Sequence, residues 1–107
     1  MIAAYNAQDA DSYVTYMTDD ACEAGYRGAV LRDGKEGVRS GLKAMFADFP
    51  ENRVEIVGST SFADYVVLHE RVTRGVKAGD TEVTPGFDVL AVYSFEGEKV
   101  SRVEFIR

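Results

Sequence analysis

Apolar and polar side chains alternate through Tyr65-Val66-Val67-Leu68-His69-Glu70-Arg71-Val72-Thr73, a run rich in β-branched and aromatic residues and flanked by Ala63-Asp64 and Arg74-Gly75. That composition and period predict a β-strand. Tyr65, Val67, His69, Arg71 and Thr73 share one face, and Val66, Leu68, Glu70 and Val72 share the other. Both faces carry apolar residues, so both are expected to be covered. Similar patterns predict strands over 53–60, 87–95 and 99–107, with Glu96-Gly97-Glu98 as a tight hairpin turn joining the last two. Val38, Leu42, Met45, Phe46 and Phe49 form one stripe at helical spacing. Pro50 stops that helix, and Asp33 with Glu36 three residues on has the spacing of a capping box. Ala10, Tyr13, Val14 and Met17 predict a shorter helix over 9–17, N-capped by Asp9 and ending around Thr18-Asp19-Asp20. Residues 1–6 have room only for the end of a helix. Residues 21–31 read as irregular and extended, bent at Gly25 and Gly28, and 74–86 as a long polar rim or lid. Helices first and antiparallel strands after make an α+β layout, with helices packed on one face of a curved sheet.

Composition narrows the function. A chain of 107 residues, 46% of them hydrophobic, is one domain with a small core. The formal charge of −6 and the lack of any Lys/Arg run argue against nucleic acid and against an anionic membrane surface as partners. No basic segment followed by an apolar block opens the chain, and no apolar stretch approaches the roughly 20 residues of a bilayer span. The single Cys22 cannot form an intrachain disulfide, so a reducing cytoplasm is the expected compartment. As a nucleophile Cys22 would need a base beside it; a small buried residue is the plainer reading. One histidine and scattered acids do not make a metal ligand set, and Gly25-Tyr26-Arg27-Gly28 is too sparse for a phosphate loop.

The candidate chemistry lies in the strand Tyr65–Thr73. His69, the only histidine, stands beside Arg71 on one face. A buried cation requires an acidic neighbour, a watery cavity or a polar ligand, so this face reads as the wall of a pocket. His69 can move a proton near neutral pH or be a packed, hydrogen-bonded histidine. Arg71 can hold an oxyanion or belong to an ion pair with Glu23 or another acid.

Three further stretches carry a resemblance. They are Asn6-Ala7-Gln8-Asp9 before a helix ending in Asp19-Asp20-Ala21, a Gly-containing turn followed by the helix over 35–49, and the ending Ala91-Val92-Tyr93-Ser94-Phe95-Glu96-Gly97-Glu98-Lys99-Val100. Over nearly its whole length the chain resembles the SnoaL-like branch of the nuclear-transport-factor-2-like superfamily, which includes ketosteroid isomerase. The resemblance implies a cone-shaped, curved antiparallel sheet with helices on its concave face, a deep apolar pocket and frequent homodimers. It implies that Val67, His69 and Arg71 line the pocket with Val89, Ala91, Tyr93, Val103 and Phe105, closed by Tyr13, Met17 and Phe46. The first helix is shortened by comparison, so either the pocket is more open or residues precede Met1.

The departures limit the chemistry. Gly25 stands where the isomerase carries its aspartate base, and its oxyanion-hole positions fall near Met1 and Ala91. Beside limonene-epoxide hydrolase, Arg71 is retained, but Thr73 and Phe105 replace the two acids. Neither mechanism is expected. Glu23 is the acid near the missing base position and shares the Gly25 face. It is either a base in an apolar pocket or a solvated or Arg-paired glutamate. Tyr93 can donate a hydrogen bond to a ligand oxygen or be a core aromatic. Asp88 is expected outside the pocket or at its rim.

The resulting expectation is a small-molecule pocket protein, with His69, Arg71 and Glu23 as catalytic candidates. The chemistry would be proton transfer, hydration or cyclisation on a mostly apolar, oxygenated metabolite, isomerase-, lyase- or hydrolase-like and without cofactor or metal. The alternative is a non-catalytic binding or dimerisation domain. Val66, Leu68, Glu70, Val72, Leu90, Val92, Arg102, Glu104 and Ile106 are expected on the outer face, where they would form a homodimer interface.

Overall fold

The computed structural model describes residues 1–107. Three helices, α1 (Ile2–Asn6), α2 (Ala10–Val14) and α3 (Gly34–Asp48), pack on a six-stranded sheet. The sheet strands are β1 (Met17–Gly25), β2 (Val30–Asp33), β3 (Arg53–Phe62), β4 (Tyr65–Thr73), β7 (Phe87–Glu96) and β8 (Lys99–Ile106), in the order β2-β1-β8-β7-β4-β3. All neighbours are antiparallel except β1 and β8, which pair in parallel. The 74–86 connection carries a two-stranded ribbon of β5 (Gly75–Val76) and β6 (Val83–Thr84). It is tied to the end of α3, where the Ala78 N–H donates to the Asp48 carbonyl at 2.7 Å.

The NAQD stretch folds the first helices over the sheet. Asn6 acts as a one-residue strand: its Nδ2 donates to the Val54 carbonyl at 2.9 Å and its Oδ1 accepts from the Val54 N–H at 2.8 Å. Gln8 Nε2 donates to the carbonyls of Phe49 and Pro50, at 3.1 and 2.8 Å. Asp9 caps α2, accepting from the Ser12 N–H at 3.0 Å.

The main core joins Tyr13, Val14, Met17, Val38, Leu42 and Phe46 to Ala91, Tyr93, Val100 and Val103 of β7 and β8. A smaller cluster of Val54, Val72 and Val89 sits toward the other end of the sheet. Truncating Leu42, which is 1% exposed, to Ala would cost about 2–5 kcal/mol.

Three expectations are corrected. Residues 15–25 are not helix end and irregular chain: α2 stops at Val14 and Met17 begins β1, because pairing with β8 supplies the ladder hydrogen bonds. Asp33 is the N-cap of α3, but its side chain makes no capping hydrogen bond; its backbone is extended and Gly34, at φ +72°, makes the bend. The third concerns β4. Glu70 opposes Val89 and Val72 opposes Phe87, so the Val66-Leu68-Glu70-Val72 face turns inward. His69 opposes Leu90 and Arg71 opposes Asp88 on the convex side. The inward face carries three apolar residues of four. Solvent takes the side with histidine, arginine and threonine, which are costly to bury.

Candidate functional site

A cavity of about 190 Å³ opens on the concave side, between α1, α3 and the strands β1, β4, β7 and β8. Its walls are largely apolar, among them Ile2, Leu42, Val54, Val72, Val89 and Phe105. Two carboxylates enter it. Glu23 is 1% exposed and sits directly across the β1/β2 ladder from Arg32. Arg32 Nη1 donates to Glu23 Oε1 at 2.6 Å, and the Tyr13 hydroxyl donates to Oε2 at 2.9 Å. Glu70 is 4% exposed and has no cation against it. Its Oε2 accepts from the Tyr93 hydroxyl at 2.9 Å, while Oε1 takes no hydrogen bond from the protein and is not sealed from the cavity.

Electrostatics follow from that placement. Burial raises the Glu70 carboxyl above the ordinary range; the Tyr93 hydrogen bond opposes the rise and the nearby Glu23 adds to it. Burial, then the adjacent glutamate, pushes the Tyr13 and Tyr93 phenols well above their usual values. Both therefore stay protonated and act as donors across the neutral range. Tyr5 is also pushed up by burial, partly countered by Asn52, whose Nδ2 donates to the Tyr5 oxygen at 2.6 Å. At the end of the sheet, Arg74 Nη1 donates to Asn52 Oδ1 at 2.8 Å and contacts Met45 Sδ at 3.0 Å. No three His, Cys, Asp or Glu side chains come together in a metal-binding arrangement.

Of the residues expected here, Glu23, Tyr13, Tyr93 and Phe105 line the cavity, and Val89 lines it too. Glu23 lies deep, paired with Arg32. Met17, Phe46, Ala91 and Val103 are buried in the main core and do not line the cavity. The placement of His69, Arg71 and Val67 in the pocket is corrected: all three are on the convex face. There, Asp88 Oδ2 lies 2.8 Å from His69 Nε2, and Asp88 Oδ1 accepts from Arg71 Nε at 3.0 Å. Arg71, then His69, hold the Asp88 carboxyl down at about 2. The acid that compensates Arg71 is thus Asp88, not Glu23. Glu70, Arg32, Arg74 and Tyr5 were missed. Glu70 had a signal: it shares its strand face with Val66, Leu68 and Val72, the more apolar of the two.

A cone of curved sheet wrapped on helices, with a largely apolar cavity on its concave side, defines the class of fold. Residues 1–103 match the model of the SnoaL-like domain, and the chain belongs to that family. An uncharacterized cystatin-fold protein from Novosphingobium aromaticivorans is 61% identical, with a TM-score of 0.95, covering 99% of this chain and 91% of its own. A hypothetical protein with a ketosteroid isomerase-like fold from Catenulispora acidiphila, solved in complex with trimethylamine, is 17% identical at a TM-score of 0.80, covering 99% of this chain and 80% of its own. A putative SnoaL-like polyketide cyclase from Jannaschia sp. is 18% identical at 0.75, covering 98% and 78%. No protein of curated function matches. The fold is nuclear-transport-factor-2-like, and none of its helices is long and apolar enough to cross a membrane.

Proposed function

We propose that the concave cavity binds a small, mostly apolar, oxygenated metabolite and that Glu70 moves a proton on it. The observation that carries this reading is the buried Glu70 carboxyl with one oxygen held by Tyr93 and the other open to the cavity. A raised carboxyl is matched to taking and returning a proton near neutral pH. Arg32 supports the role of oxyanion holder: Nη1 is committed to Glu23, but Nη2 meets only the Met45 thioether, at 3.9 Å. Its remaining donor capacity can receive negative charge developing on a carbonyl oxygen. Glu23 keeps Arg32 in place and is the second carboxylate of the site. The reaction class is proton transfer next to a carbonyl, as in an isomerase, lyase or cyclase, with no cofactor required by these groups. Likeness to a putative polyketide cyclase and to a structure holding a small organic molecule is in keeping with this reading.

The test is deuterium exchange. Ring-sized ketones in heavy water should exchange their α-protons faster with the protein than in buffer, and Glu70→Gln should slow that exchange by about 100-fold or more. Exchange no faster than buffer, or undiminished in Glu70→Gln, would remove the catalytic reading.

Assembly as a homodimer through the convex face is part of the same proposal. Val67, Leu90, Val92 and Ile106 give that face apolar surface, and Arg71–Asp88 and Arg102–Glu104 set ion pairs among them. Val66, Leu68, Glu70 and Val72 are turned inward and drop out of the expected interface.

A further inference from the structure

The pocket's charge is unevenly matched. Glu23 is neutralised by Arg32, yet two more guanidiniums, Arg74 and Arg107, line the same cavity. Neither forms an ion pair. Arg74 donates only to neutral acceptors, Asn52 and Met45. Arg107 makes no hydrogen bond within the protein and lies over the Phe87 ring, 3.8 Å from its centroid. Arg74 lies over the same ring, at 5.1 Å. Two like charges therefore share one aromatic ring at the edge of an apolar cavity, in a chain whose net charge is −6. Like charges so placed repel, and the repulsion is stronger beside a low-dielectric wall. An anion placed between them relieves it.

The position of the pair is as informative as its charge. Arg74 follows the last residue of β4, Phe87 begins β7 and Arg107 follows β8, so all three sit at one end of the sheet. Glu70 lies four residues inward along β4, about 13 Å by backbone rise. Side chains reaching inward from both ends shorten that span, and Val72, Val89 and Phe105 line the space between. A volume of about 190 Å³ is somewhat larger than the roughly 150 Å³ engineered cavity that takes up benzene. It suits one ring with a short substituent.

Resting on the reading of this cavity as a ligand site, we propose that its occupant is a single-ring carboxylate. The anionic group is held by Arg74 and Arg107, and the ring lies in the apolar middle with its far edge toward Glu70. Planar guanidinium matches planar carboxylate through paired hydrogen bonds, and stacking of both arginines on Phe87 holds the forks in place.

Calorimetric titration of the full chain with benzoate and with benzamide, at neutral pH and low salt, tests this. The two probes share a ring and differ in charge. Benzoate should bind about ten-fold tighter or more, the scale of one charge-assisted hydrogen bond. Arg107→Met, an exposed change that leaves the core untouched, should remove most of that preference while keeping benzamide affinity within about two-fold. Arg74→Met should do the same, and its folding is checked by thermal melting because Asn52 loses a partner. Glu70→Gln should retain the benzoate preference, which separates anion binding from proton transfer. If benzamide binds as tightly as benzoate, or the preference survives in both arginine variants, the carboxylate proposal is overturned while the pocket reading stands. If neither probe binds, the single-ring proposal is overturned and the pocket reading loses its support too.

Discussion

Glu23 and Glu70 face one cavity in different company: a guanidinium and a phenol hold the first, a phenol alone the second. Their loss should therefore read differently. Below its ordinary value of 4.5, Glu70 is protonated in folded and unfolded chains alike. As pH rises past that point the unfolded chain ionises first, because burial holds the folded carboxyl higher. Stability is then lost until the folded group also ionises. Glu70→Gln, whose amide oxygen still accepts from Tyr93, escapes this loss. Its denaturant midpoint relative to wild type should rise as pH climbs above 4.5 and level off once the folded carboxyl has ionised; a constant or shrinking difference would contradict the raised carboxyl. Arg32→Met should instead cost about 3 kcal/mol by denaturant titration, because it leaves Glu23 buried and unpaired. Adding Glu23→Gln should recover much of that, since the orphaned charge goes with it. On the convex face the signs reverse. Asp88, held at about 2, stays ionised well below the usual carboxylate range. The stability it contributes is fully present above the unfolded value of 3.8 and is lost progressively as pH falls from there through about 2. A carboxyl-carbon NMR titration of Asp88 with a midpoint near 4 would deny that the Arg71–Asp88–His69 cluster forms in solution.

Among the elements, β4 shows what an alternating pattern contains and what it lacks. Its span, Tyr65–Thr73, was legible to the residue, because β-branched density and flanking breakers mark both ends. The helix α3 was legible to within one residue, from its stripe and Pro50. Period two divides β4 into two faces, but it does not say which one is inside. That is decided by β7, whose Val89, Ala91 and Tyr93 bury one face and thereby select Val66, Leu68, Glu70 and Val72 opposite them. Counting apolar residues per face would have chosen correctly; weighing chemically interesting side chains chose His69 and Arg71. β1 was illegible for another reason. Thr18-Asp19-Asp20 looks like a helix ending, and it lies in an irregular stretch between Met17 and Cys22, whose partners in the ladder are on β8, near the other end of the chain. Glu23 could be picked from the sequence because it shares a face with Gly25, but Arg32, its partner, is set by β1/β2 register. At the start of β7, a Cβ on Gly86 would run into the Val72 backbone carbonyl. Gly86→Ala should therefore lower stability by about 1–3 kcal/mol, measured by thermal or denaturant melting, and shift Phe87 at the cavity edge. An unchanged midpoint would mean that β4 and β7 are farther apart there than described.

For the whole molecule, the convex sheet face sets exposed or half-buried apolar side chains, Val67, Leu90, Val92 and Ile106, side by side without a partner. Phe62 and Tyr65, 79% and 49% exposed, extend it at the β3–β4 turn, where a lone chain would leave them to water. Sedimentation at micromolar concentration should give a dimer, and Val92→Arg should shift it to monomer without unfolding it. A wild-type monomer would end the assembly proposal. The sheet order has a consequence in time as well as in space. β1 can join β7 only through β8, so residues 17–25 wait for residues 100–105 before their ladder closes. Contacts so distant in sequence make folding slow. During synthesis, the strand bearing Glu23 is made before β8 and has no β8 to pair with until residues 99–106 have emerged. A nascent chain stopped at Gly97 has the helices and the hairpin of β3 and β4, but it lacks Phe105 and the strand that brings Glu23 beside Tyr93. The cavity walls are therefore complete only once β8 is in place, however early β1 is made.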